Sequence, residues 1–235
     1  MPSAPLRNHL IARLSSDDRD ALLAAATPFD FSLGHVFCEA GDLVTHVYFV
    51  DSGIISAVAV MADGRTVEAY MVGPEGVTSP AAAAASSHTF SRLAAQSAGS
   101  ARRVEAARLR TLMNDRRGLR VVLANYAVVV QNELEQSAAC NALHRSDQRF
   151  AKWLLRCHDR VEGDTLQLTQ EYLAAMLGSQ RTTVNEAAQA LQKAGAITYS
   201  RGKVTITDRA ALERVACECY RAAANREAPD EPVPA

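Results

Sequence analysis

The sequence predicts an α+β chain with two folded parts, and three textures along its 235 residues carry that expectation. Between about 29 and 104, short runs rich in β-branched and aromatic residues are cut by frequent glycines, as in an antiparallel roll or barrel. Positions 116–144 hold the longest uninterrupted helical periodicity, without proline and with Gly118 near its start. Positions 168–206 hold two short helical patterns, a glycine turn and a hairpin. The expected order is a roll over 1–115, a long helix over 116–144, a helical head over 145–225 and a tail over 226–235.

Taken in order, 1–14 read as a short leader. Ser15 or Ser16 can cap a helix reaching about Ala26, with Leu22 and Leu23 inward, and Pro28 ends it. The runs 44–50, 54–61 and 66–72 are strand candidates, the last two joined across Asp63-Gly64. The stretch 80–88 fits one helical turn or a loop, 93–104 returns to β texture, and 108–114 is a short helix. In the long helix, Leu123, Ala127, Val130, Leu134, Ser137, Asn141 and His144 recur at alternating four- and three-residue steps, a coiled-coil-like seam. Such a seam serves either a dimer or the core of a monomer. Phe150, Trp153, Leu154 and Cys157 mark a further amphipathic helix, and another spans about 209–224. The closing EAPDEPVPA is acidic and proline-rich, which favours disorder.

The head is the most informative stretch. Thr169 is a natural N-cap, with Leu173, Ala174 and Leu177 on one face of its helix, and Gly178 supplies a sharp turn that Ser179 can follow as the next cap. The second helix opens at Gln180 and closes at Ala194 before Gly195, with Val184, Ala187, Ala188 and Leu191 apolar. Its other face carries Gln180, Arg181, Thr182, Thr183, Asn185 and Glu186, groups able to read base edges. Two β-like runs, 197–199 and 204–206, flank Arg201-Gly202-Lys203. This is a helix-turn-helix with a basic wing.

At these residues the chain resembles the cyclic-AMP-receptor/fumarate–nitrate-regulator (Crp/Fnr) superfamily of bacterial transcription factors. The likeness is carried by LT-x3-LA-x2-LG (168–178), R-T-x-V (181–184), L-x-K-x-G-x-I (191–197) and R-G-x-V-x-I-x-D (201–208). Earlier, Gly41-Asp42, the run VYFVDSGIIS (47–56) and MVGPEG (71–76) resemble that superfamily's cyclic-nucleotide-binding β-roll. The resemblance implies a cyclic-nucleotide-binding-like sensor, a dimerisation helix and a winged helix-turn-helix that binds a near-palindromic double-stranded DNA operator as a homodimer. It places the dimer interface at Leu123, Ala127, Val130, Leu134, Ser137 and Asn141.

Arg181 matches the arginine of the superfamily's R-E-T-V signature and can donate two hydrogen bonds to guanine O6 and N7. Thr182 and Glu186 replace the signature's glutamate and a downstream arginine, so the sequence preference should differ. Thr182 could touch a thymine methyl; Glu186 either accepts from a cytosine amino group or pairs with Arg181. Thr169, Ser179, Arg201 and Lys203 suit phosphate contacts.

In the sensor, the resemblance puts Glu75 at the ribose-binding glutamate and Arg92 at the phosphate-binding arginine. Leu93 stands where a Ser or Thr hydroxyl would help hold the phosphate, and Leu134 and Glu135 stand where small hydroxyl residues contact adenine. Loss of these hydroxyls argues against cyclic AMP and for another small-molecule effector or a vestigial roll.

Formal charge −1, 48% hydrophobic and 22% charged residues are ordinary globular values. The basic groups are uneven, however, for Lys152, Lys193 and Lys203, the only lysines, all lie beyond residue 150. No apolar run suits a membrane span and the start lacks a signal-peptide layout, so a cytoplasmic protein is expected. Five cysteines at 38, 140, 157, 217 and 219, without C-x-x-C spacing, read as reduced thiols. Cys217 and Cys219, two apart on an expected helix, should diverge and ligate poorly together; no metal site or iron–sulfur cluster is expected. Cys140 suits a buried small thiol better than an intersubunit redox switch. His35 and His46 read as structural or surface groups, and no nucleophile–base pair or phosphate-cradling loop suggests an enzyme. RNA polymerase becomes a partner if the protein activates, and no activating loop is legible.

Overall fold

The computed structural model describes residues 6–221, so the 226–235 tail and the end of the last expected helix lie outside the described residues. The chain divides into two compact units. Among the described residues the first takes 6–59 and 70–132, and the second takes 60–69 and 133–221.

The leader is part of the first unit's core. Helix α1 (His9–Ala12) is capped by Asn8, whose side chain accepts from Ile11 N. Asn8 is fully buried, and its Nδ2 donates to the carbonyls of Val50 and Gly76, each at 2.8 Å. Leu10, Ile11 and Leu14 bury beside it, so the described part of the short leader packs into this core. Helix α2 (Ser16–Ala25) starts as expected: Ser15 Oγ accepts from Asp18 N at 3.2 Å. Strand β1 (Ala26–Phe31) follows at once and contains Pro28, tolerated because β1 is an edge strand.

The roll continues with β2 (Val36–Cys38), β3 (His46–Ser52), β4 (Ile55–Val60), β5 (Thr66–Val72), helix α3 (Pro80–Ala84), β6 (Arg92–Ala95) and β7 (Gly99–Glu105). One sheet has the order β1-β7-β3 and the other β2-β6-β4-β5. The pairings β1–β7, β3–β7, β2–β6 and β4–β6 are all antiparallel. Phe31, Tyr48, Val50, Ile55, Ala57, Val72, Leu93, Ala95 and Ala101 form a core for the two sheets. Phe29, Phe31, His35, Phe37 and Tyr48 add a ring cluster, with Phe37 and Tyr48 centroids 4.7 Å apart. Helix α4 (Ala106–Asp115) leads into α5 (Arg117–Leu143), the long helix. A Cβ at Gly76 would run into the Tyr126 hydroxyl of α5, so this glycine is required by packing.

One expectation for α5 is corrected. Leu123 and Val130, expected in a dimer seam, are 2% and 8% exposed and belong to the first unit's own core with Leu119, Val122 and Tyr126. Ala127 and Ser137 are half-buried, while Leu134 and Asn141 are exposed. Val128, Leu134 and Leu143 are the large apolar side chains that α5 exposes among the described residues.

The second unit contains α6 (Ser146–His158), β8 (Thr165–Gln167), α7 (Gln170–Leu177), α8 (Arg181–Lys193), β9 (Ile197–Ser200), β10 (Lys203–Ile206) and α9 (Arg209–Val215). The three strands pair antiparallel in the order β8-β10-β9. Arg156 of α6 forms a buried ion pair with Glu133 of α5. Burial pushes the Glu133 carboxyl up, but the charge and hydrogen bond of Arg156 outweigh it and hold the group below its ordinary value. Helix α9 stops at Val215, where Ala216 leaves helical backbone with ψ 146°, and helical backbone resumes at Cys219. Cys217 and Cys219 are therefore not on one helix and do not diverge: their thiols share a buried cluster with Cys140.

Candidate nucleic-acid interface

The head is built from the inside outward. Phe150, Ala151, Leu154 and Leu155 of α6 are buried, as are Leu173, Met176 and Leu177 of α7 and Val184, Ala187, Ala188 and Leu191 of α8. Thr169 Oγ1 accepts from Tyr172 N at 3.1 Å and starts α7. Gly178 ends it in the left-handed region at φ 57°, where glycine carries no side-chain penalty. Ser179 N then donates back to Ala174 O at 2.9 Å and Gly178 N to Ala175 O at 3.2 Å, a Schellman closure that sharpens the turn. Arg149 Nη2 donates to Leu177 O at 2.6 Å, which ties α6 to the end of α7.

The turn refines two assignments. Ser179 is not the cap of α8; Gln180 holds that position, with no side-chain cap bond, and Ser179 Oγ donates to Leu177 O at 3.3 Å. Ser179 and Thr183 are half-buried, whereas Gln180, Arg181, Thr182, Asn185 and Glu186 are exposed. Arg181, Thr182, Asn185 and Glu186 share one polar face of α8, opposite Val184, Ala187 and Leu191, and Gln180 stands at its cap.

Arg181 pairs with Glu171 of α7 at 2.8 Å, not with Glu186, and both side chains are largely exposed at 64% and 77%. An ion pair this wet is weak enough for a stronger anion to displace it. Gln170 Nε2 donates to Asn185 Oδ1 at 3.3 Å. Sequence reasoning missed Gln170 and Glu171. Their signal was their place just after the Thr169 cap, where first-turn residues of α7 face the start of α8.

The wing is a tight hairpin. Lys203 pairs with Ser200 in register, and Arg201 and Gly202 between them both have positive φ, 50° and 75°. Two consecutive left-handed residues match the twist of a two-residue hairpin. Arg201 takes a conformation that costs a non-glycine residue about 1–2 kcal/mol, and its exposed guanidinium stands at the tip beside exposed Lys203. Tyr199 OH donates to Leu168 O at 3.1 Å and fixes β9 against the residue before the α7 cap. Burial pushes the Tyr199 phenol above its ordinary value. Thr169, Arg201 and Lys203 are thus exposed donors on the same compact unit as the α8 face.

The proposed effector residues stand differently. Arg92 Nε donates to Glu39 Oε2 at 2.6 Å in a half-exposed ion pair. Leu93 is 2% exposed in the core between the sheets, paired in register with Ala57 and Cys38. Successive residues on β6 point to opposite faces, so Arg92 and Leu93 do not line one surface. Glu75 Oε1 accepts from Gly73 N at 3.0 Å and so braces its own turn. Leu134 is 39% exposed on α5. His35 packs edge-on to Phe37 and His46 bonds Thr45, as expected of structural groups.

These features define a winged helix-turn-helix in one chain with a β-roll. Residues 148–215 match the Crp-like helix-turn-helix domain. FixK2 from Bradyrhizobium japonicum shares the fold at TM-score 0.68 and 20% identity, over 82% of this chain and 98% of that one. A Crp/Fnr-family transcriptional regulator from Thermus thermophilus aligns at TM-score 0.67 and 24% identity, over 81% and 98%. CLP, the c-di-GMP-responsive global regulator of Xanthomonas campestris, aligns at TM-score 0.64 and 16% identity, over 83% and 100%. No curated protein matches the chain in sequence. The chain has the fold of Crp/Fnr regulators, with a Crp-like helix-turn-helix domain over 148–215. Among the described residues no helix is long and apolar enough to cross a membrane.

Proposed function

We propose that the protein is a homodimeric transcriptional regulator that reads a near-palindromic operator through α8 and answers to an effector other than cyclic AMP. The observation that carries this reading is the exposed polar face of α8, with Arg181, Thr182, Asn185 and Glu186 on a buried apolar base. Arg181 exchanges Glu171 for guanine O6 and N7; Thr182, Asn185 and Glu186 meet neighbouring base edges; Thr169, Arg201 and Lys203 hold phosphates. Two such helices one turn of B-DNA apart, about 34 Å, fit a palindrome. The exposed apolar groups of α5, Val128 and Leu134, supply the dimer contact in place of Leu123 and Val130.

The inward Leu93 and the Arg92–Glu39 pair support an effector other than cyclic AMP, because neither offers a phosphate the matched hydroxyl and guanidinium. The protein acts by binding, in cytoplasm, and not by catalysis. The test is selection of genomic fragments by purified full-length protein, with and without cyclic AMP, cyclic GMP and cyclic di-GMP. A palindromic motif recovered without cyclic AMP supports the reading. Enrichment that needs cyclic AMP contradicts the effector half of it, and binding without any sequence preference contradicts the whole.

A further inference from the structure

Four potential ligands converge in the second unit, outside the α8 face and the wing. The thiols of Cys140, Cys217 and Cys219 and a ring nitrogen of His144 all lie within 4.8 Å of one another. We propose that this cluster is a Cys3His site for a single tetrahedral zinc ion. Its spacing suits that ion. With Zn–S about 2.3 Å and Zn–N about 2.05 Å, a tetrahedron has edges of about 3.8 Å between sulfurs and about 3.6 Å between sulfur and nitrogen. The observed edges are 3.6 Å for Cys140 Sγ–Cys217 Sγ and 3.5 Å for Cys219 Sγ–His144 Nδ1.

Local structure explains the convergence. Cys140 lies in the last turn of α5 and His144 just past its end, where His144 N still donates to Cys140 O at 3.1 Å and so sets the two on one face. Ala216 leaves α9 in extended backbone, and Tyr220 N donates to Cys217 O at 3.1 Å, a turn that brings Cys219 back beside Cys217. The three cysteines are 1–3% exposed. Four protein ligands with buried sulfurs describe a closed, structural site.

The surroundings match a metal–thiolate centre. His144 presents Nδ1 to the cluster while Nε2 faces Glu218 Oε1 at 3.1 Å, the carboxylate–histidine pairing that fixes a ligand's ring and tautomer. Gln136 Nε2 donates to Cys219 Sγ at 2.9 Å, a bond that stabilises a thiolate. Three thiolates, one neutral imidazole and Zn2+ sum to −1, and the positive field of Lys152 reaches both Cys140 and Cys219. On binding, the three thiols release their protons to solvent and no electron moves. A Cys140–Cys217 disulfide would need an oxidant and sulfurs about 2.05 Å apart, and would leave Cys219 and His144 without use. The ion ties the end of α5 to the segment after α9.

The test uses full-length protein, reduced, loaded with Zn2+ and freed of excess metal. Elemental analysis is expected to find about one zinc per chain, and Co2+ loading to give the intense visible bands and thiolate charge-transfer band of a tetrahedral sulfur-rich site. Cys140→Ser and Cys217→Ser should fall below about 0.1 ion per chain, while Cys38→Ser keeps the full complement. Exposed Glu218→Gln should keep the fold and bind the ion about 10-fold more weakly. If a serine variant fails to fold by circular dichroism, the wild-type cobalt spectrum and Glu218→Gln still decide. Wild-type protein below about 0.1 zinc per chain, an octahedral cobalt spectrum, or a folded Cys217→Ser with full zinc would each overturn the proposal.

Discussion

The roll and the head use their polar residues in opposite ways. In the head, the side chains that resemble a functional set stand outward on α8 and the wing, over a core that needs none of them. In the roll, the corresponding set has been absorbed: Leu93 is core, Arg92 is paired with Glu39, and Glu75 braces its own turn. For the two arginines the difference is one of degree, since Arg181 is paired as well, but its ion pair with Glu171 is 64% and 77% exposed against 41% and 50% for Arg92 and Glu39. The two regions are alike in burying an ion pair each, Glu133–Arg156 in the head and Asp51–Arg102 in the roll.

Substitutions can break or sharpen that contrast, and Glu133→Gln should have the largest effect. It leaves the buried Arg156 without its carboxylate, a loss of about 3–5 kcal/mol of stability in chemical denaturation. The same pair sets a pH dependence. The Glu133 carboxyl titrates lower folded than unfolded, so its stabilisation is complete above the unfolded value near ~4.3 and is lost as pH falls through the folded value. Acid denaturation curves should show this loss in wild type and not in Glu133→Gln.

Leu93→Ser comes next, because it restores the hydroxyl of the cyclic-nucleotide-binding pattern. If Leu93 is core, the change costs about 2–4 kcal/mol in melting experiments and calorimetry detects no cyclic AMP binding. Tight cyclic AMP binding by this variant would erase the contrast between roll and head. Arg181→Ala should lose about 1–3 kcal/mol, or roughly 5–150-fold, for the selected operator and relax preference at one base in each half-site, with unchanged melting. Lys203→Ala should weaken all sequences alike and lower the salt slope of binding by about 1. Arg92→Ala should change stability by less than about 0.5 kcal/mol, since its ion pair is half-exposed.

Much of this was legible in the sequence for a physical reason. Gly178, the Thr169 cap, the apolar face of α8 and the Arg201-Gly202 turn are local signals, each set by residues a few positions apart. What escaped depends on contacts between distant segments. The seam of α5 showed period but not ownership, and Leu123 and Val130 turn inward to the roll core. Asn8 looked like leader because its acceptors lie at Val50 and Gly76. The cysteine cluster depends on the break after Val215, which helical periodicity in the sequence does not show. Arg181's partner Glu171 was missed because the turn geometry, not helical spacing, brings them together.

The most direct test of the account is operator affinity measured for wild-type protein, Arg181→Ala and Arg92→Ala on the fragment recovered by genomic selection, without added nucleotide. A palindromic site bound tightly by wild type and Arg92→Ala is expected, with Arg181→Ala roughly 5–150-fold weaker. Equal affinity for all three proteins, or binding that tracks salt and not sequence, would contradict it.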